Sequence, residues 1–118
     1  MDKLEKLRWA LDRAVLAATL FANCDDGGTC NFDAPAFNFE AYGISKADAM
    51  RIIDEAGLYS YEWDMFPSKP GRGKRKHIQL VIVGFTSGQG NRRTKMAEAF
   101  CKQMQEDGCN CGMYYQMD

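Results

Sequence analysis

HIQLVIVGF, residues 77–85, is apolar at nearly every position from Leu80 onward. Successive side chains of a strand point to opposite faces, so an unbroken apolar run predicts a strand buried on both. Such a strand belongs at the centre of its sheet, and the rest of the chain has to cover it. Residues 2–22 offer the first cover. Leu4, Leu7, Leu11, Ala14, Val15, Ala18 and Phe21 recur at three- and four-residue spacing, the stripe of an amphipathic helix that stops at CDDGG, residues 24–28. With 118 residues in all, there is material for a single domain over 1–118 and its core, but not for two.

The remaining segments fill in the frame. TCNFDAPAFNF, residues 29–39, alternates briefly and is interrupted by Pro35, so it reads as a short edge strand or an extended loop. Ser45 followed by Asp48 resembles a capping box, making KADAMRIIDEA a second helix with Gly57 just past its end. LYSYEWDMF, residues 58–66, alternates: Tyr59, Tyr61, Trp63 and Met65 share one face, Ser60, Glu62 and Asp64 the other. The aromatic side reads as core. Thr94 to Asp107 predicts a third helix with Ala97, Phe100, Cys101 and Met104 inward, stopped by Gly108, and CNCGMYYQM, residues 109–117, a last strand. The order α-(β)-α-β-β-α-β predicts an α+β domain, helices packed against a small, largely antiparallel sheet. No internal repeat is visible.

Composition narrows the function classes. The formal net charge is -1, so nothing overall draws the chain onto DNA or an anionic membrane. No apolar run approaches the roughly 20 residues of a membrane span, and MDKLEKLRW is too charged for a signal-peptide core, which predicts a cytosolic protein. Cys24, Cys30, Cys101, Cys109 and Cys111 are odd in number, and their C-x5-C and C-x-C gaps with a single histidine do not suit zinc. They read as thiols packed as small apolar groups. Neither a metal nor a cofactor is expected.

Where chemistry could sit is best judged from SGQGNRRTKMAEAF, residues 87–100. A strand ending at Phe85, a glycine turn and a helix start bring backbone N–H groups to one point, where the helix dipole adds partial positive charge. Arg92 and Arg93 add two guanidinium forks suited to phosphate, and Gly88 and Gly90 let a ligand approach the backbone. The stretch is neither a P-loop nor G-x-G-x-x-G, since G-K-[ST] is missing and Arg93 stands at the third glycine position. A surface turn whose arginines pair with carboxylates competes with the phosphate reading. Asp25, Asp26, Asn31 and Asp33 lack the glycine and glutamate positions of a calcium loop, but could meet ribose hydroxyls. His77 is the one histidine, and nothing in the sequence points a nucleophile toward it, so no catalytic residue is named and binding is favoured over turnover.

Two competing readings remain. Lys69, Arg72, Lys74, Arg75 and Lys76 cluster in a hairpin loop, and together with the aromatic strand residues 67–77 could serve a small nucleic-acid-binding regulator. A protein-binding inhibitor using the apolar face of the first helix is the other.

GGTCNFDAP, NRRTKMAEA and MYYQMD, over residues 27–35, 90–99 and 113–118, resemble the first-described anti-Thoeris family of phage proteins. The resemblance implies a non-enzymatic sponge in the host cytoplasm that binds cyclic ADP-ribose isomers intact and so silences a bacterial immune signal. It implies a ligand held at a subunit interface of a homo-oligomer, a dimer or a trimer of dimers. Phe85 and Asn91 would flank the adenine, and Arg92 and Arg93 would take the phosphates. For some members it also implies cyclic oligonucleotides at a separate site. The loop 67–76 has no counterpart in the resemblance.

Overall fold

The computed structural model describes residues 1–23, 33–64, 78–86 and 90–115. In chain order these form α1 (Lys3–Thr19), β1 (Ala34–Phe37), α2 (Phe39–Tyr42), α3 (Lys46–Glu55), β2 (Tyr59–Asp64), β3 (Ile78–Val83), α4 (Asn91–Glu106) and β4 (Cys111–Tyr114). The strands make one antiparallel sheet in the order β2-β3-β1-β4. The domain is therefore α+β, as its element order predicts. From β1 onward it follows the split βαβ plan, β-α-β-β-α-β, with α1 added in front.

Local chemistry accounts for the helix limits. Asp2 caps α1 by accepting the Glu5 N–H at 2.8 Å, and Ser45 caps α3 by accepting that of Asp48 at 3.1 Å. The four-residue α2 escapes the sequence patterns because it is too short to show a period; Asn38 caps it, accepting from Ala41 N at 3.1 Å. The helix that begins at Thr94 in the sequence reading starts three residues earlier in the structure, at Asn91. Gly90 sets this start, with φ 56° and ψ −126°, the conformation that a type II′ turn gives to glycine at its first central position.

One face of the sheet meets all the long helices. Leu7, Leu11, Ile53, Leu80, Ile82, Phe37, Phe100 and Met104 lie fully buried in this core. Full burial of a large apolar side chain contributes about 1.5–3 kcal/mol. α1 lies along α4 and touches α3. Leu7, Ala10, Leu11, Ala14 and Ala18 of its apolar face are buried there, while Phe21 at its end remains exposed. Cys101, Cys109 and Cys111 pack into the same core as thiols; Cys24 and Cys30 lie outside the described residues.

The run 78–83 is internal, as its apolarity predicts, with β2 and β1 on its two sides. β1 corrects the sequence reading. It is an interior strand, not an edge or a loop, buried at every position between β3 and β4. Pro35 is accommodated because it pairs opposite Met113 of β4, whereas the ladder to β3 runs from Ala36. Among the described residues no helix is long and apolar enough to cross a membrane.

Two buried phenol and thiol groups tie stability to pH. Tyr42 donates its hydroxyl to the Lys3 carbonyl at 2.7 Å, across the joint between α1 and α2. Burial raises its phenol from 10.0 to about 12, and burial raises the Cys109 thiol from 9.0 to about 11. A group whose neutral form is favoured by folding stabilises fully below its unfolded pKa, and that contribution vanishes as pH climbs through the folded value. Urea midpoints should therefore hold between neutrality and the unfolded thiol value of 9.0, then fall progressively toward the folded values of about 11 and 12. Cys109→Ala should flatten the first part of that decline.

Candidate functional site

Strand register brings the separated segments of the sequence reading to one end of the sheet. Tyr59 lies opposite Val83, and Ala34 opposite Tyr114. Ala36 pairs with Val81, so the start of β1 is also at the Val83 end. α4 begins seven residues after β3 closes and returns to the same corner. Asp33, the first turn of α4 and Tyr115 thus gather from three places in the chain.

The joint between them is a hydrogen bond. Thr94 donates its hydroxyl to the Asp33 carboxylate at 2.7 Å. Asp33 is only 3% exposed, and it is the buried charged side chain among the described residues. A carboxylate taken out of water needs such donors, because its desolvation is otherwise uncompensated. Asp33 therefore clamps β1 to α4. One oxygen is engaged by Thr94, so Asp33 fixes the first turn of α4.

The electrostatics of that turn run against the usual pattern. Helices favour acids at their N-termini, and α1 and α3 supply Glu5 and Asp48 there. The first turn of α4 has no acid and no side-chain cap, and it carries Arg92 and Arg93 instead. Two cations at the positive end of a helix dipole cost about 0.3–1 kcal/mol each at an exposed surface. Both are half-buried. Arg93 reaches far enough that its charge is felt at Tyr61 of β2. The Tyr61 phenol is raised, first by burial and then by Tyr114, with Arg93 pulling it back down. At the same corner partial desolvation raises the Tyr115 phenol, helped by the negative charge of Glu98 and Asp33.

Phe85 and Asn91 are not brought together within one chain. The Phe85 ring stacks on Phe100 at 4.1 Å and 19°, against the third turn of α4. Asn91 opens the first turn and is exposed. Nine residues of helix separate Asn91 from Phe100, about 13 Å along the axis. One face of the Phe85 ring is already occupied, and its partial burial against the core makes it a buttress for α4. Gly90 forms the turn as expected, while Gly88, Asn31, His77 and the basic loop 67–76 lie outside the described residues. The polar joint through Thr94 was missed from sequence, because a threonine inside a helical run gives no sign of a partner 61 residues away.

Two hollows lie along α1. One hollow, about 620 Å³, runs between the end of α1 and the flank of α4, lined by Ala17, Leu20, Phe21, Lys95 and Lys102. Among the described residues no group of three metal-ligating side chains comes together. No family model matches the chain, and no curated protein or solved structure matches it either.

Thr94→Val should remove a donor from a buried carboxylate and destabilise the fold by about 1–3 kcal/mol, read as a lowered urea midpoint at neutral pH. Thr94→Ser keeps the hydroxyl and should recover most of the loss.

Proposed function

We propose that the protein binds and retains a small cyclic nucleotide of the cyclic ADP-ribose type, at the corner where α4 begins, and releases it unchanged. Its biological role on this reading is a phage anti-defence protein that withdraws a Thoeris signal from the host cytoplasm. The observation that supports it most is the charge arrangement of that corner. Arg92 and Arg93 occupy the first turn of a helix that has neither acid nor side-chain cap there, and Asp33 is the carboxylate fixed beside them. A pyrophosphate would turn the unfavourable placement of the arginines into a favourable one, since helix dipole and guanidinium groups then act on the same anion.

The separation of Phe85 from Asn91 bears on the assembly. A base flanked by both would have to take one from each of two copies. Retention also requires enclosing most of the ligand, and the hollows along α1 do not include the α4 tip. Both considerations favour a site completed by a second chain, in keeping with a homo-oligomer. Cyclic oligonucleotides at a separate site belong to the resemblance alone.

Arg92→Glu should leave the fold intact and abolish retention. Loss of one charge-assisted phosphate contact costs about 1.5–3 kcal/mol, and reversal of its sign more, so affinity should fall at least tenfold. The direct check is recovery. Protein is mixed with a cyclic ADP-ribose isomer, freed of excess ligand and denatured, and the released molecule is identified by mass. An intact cyclic product supports sequestration, a linear one means hydrolysis, and undiminished retention by Arg92→Glu puts the site somewhere else.

A further inference from the structure

β2 is patterned the wrong way round for a strand built only to fold. Its register against β3 sets Ser60 opposite Ile82 and Glu62 opposite Leu80, both core residues, so its polar side chains point to the side of the sheet that the helices cover. There Glu62 pairs with Lys46 of α3. Tyr59, Tyr61 and Trp63 point to the other side, which no described helix covers, and are 70%, 42% and 40% exposed. From the opposite edge of the sheet Tyr114 leans over, its ring 5.1 Å from that of Trp63 at 55°. Between these edges the face holds Ala34, Ala36 and Val81, small and buried. The rings roof them.

We propose that this open face is a stacking surface for single-stranded nucleic acid, with Tyr61 and Trp63 as its two base platforms. Alternate residues of a strand stand about 6.6 Å apart, close to one nucleotide step of an extended single strand, so neighbouring bases meet neighbouring rings. A four-stranded sheet with helices behind it and aromatic rings in front is the arrangement by which sheet-based domains hold two or three unstacked bases. A duplex would not serve, because its bases hide their π-faces in their own stack. This proposal does not rest on retention of a cyclic messenger, and it places the bases on β2 rather than at the α4 tip.

The test uses full-length protein and two fluorescein-labelled probes, a short oligouridylate and a short oligothymidylate, followed by anisotropy at low salt. Emission of Trp63 is read in a Trp9→Phe background. Binding of either probe should quench Trp63, and a preference between the two tells whether the ribose hydroxyl is read. Tyr61→Leu and Trp63→Leu, which keep an apolar side chain but remove the π-face, should each weaken binding roughly tenfold. Tyr61→Phe, which keeps the ring, should bind like the parent. Because stacking carries most of the affinity, the decline with salt should be shallower than phosphate neutralisation alone would give. Failure of the parent to bind either probe overturns the proposal, and so do leucine variants that bind as the parent does. A fall in mass by light scattering for Tyr61→Leu, with no change in probe binding, would also overturn it and give the face to a second copy of the chain. The cyclic ADP-ribose recovery experiment can succeed or fail independently of each of these results.

Discussion

A chain running β-α-β-β-α-β through a four-stranded antiparallel sheet sends both crossover helices to the same side. The other features of this protein follow from that one-sidedness. α1 adds to the covered side by packing on α4, and the shared core closes around Leu7, Leu11, Leu80 and Phe100. Among the described residues, the opposite side is left to its own side chains. Small residues on the interior strands and rings on the edge strands line it, with Ala36 and Val81 fully buried.

The same topology decides which loops meet. β3 ends, α4 starts, β1 starts and β4 ends at one end of the sheet, and the Asp33–Thr94 bond fastens that end. A buried carboxylate is costly unless it is hydrogen-bonded. Here it also stands close to two arginines that the helix dipole disfavours. The proposed anion site and the clamp are thus parts of one electrostatic arrangement. Asp64 and Ile78 face each other across the ladder at the other end of the sheet.

The aromatic strand shows how a correct pattern can carry a wrong destination. Alternation told which residues of 59–64 share a face, and the structure keeps that grouping. Alternation cannot tell which face looks at the helices, because that depends on pairing with β3 and on where α3 lands. Rings expected in the core stand in solvent, and the polar set lies on the helix side, where Lys46 meets Glu62. Pro35 misled in a related way. A proline excludes one ladder hydrogen bond, not an interior position, when the second ladder can begin one residue later.

By itself the sequence determined what depends on neighbours along the chain. The amphipathic period of α1, the Ser45 cap, the stop at Gly57 and at Gly108, and the doubly apolar run of β3 are all local, so the α+β class and most element limits could be read from it. Tertiary structure alone decided what depends on register and crossover. The interior place of β1, the outward turn of Tyr59, Tyr61 and Trp63, the distance between Phe85 and Asn91, and the meeting of Asp33 with Thr94 each join residues that no period relates. Contacts of that kind are chosen by the packing of the whole domain, through the loss of water from one sheet face and the need of a buried charge for a donor.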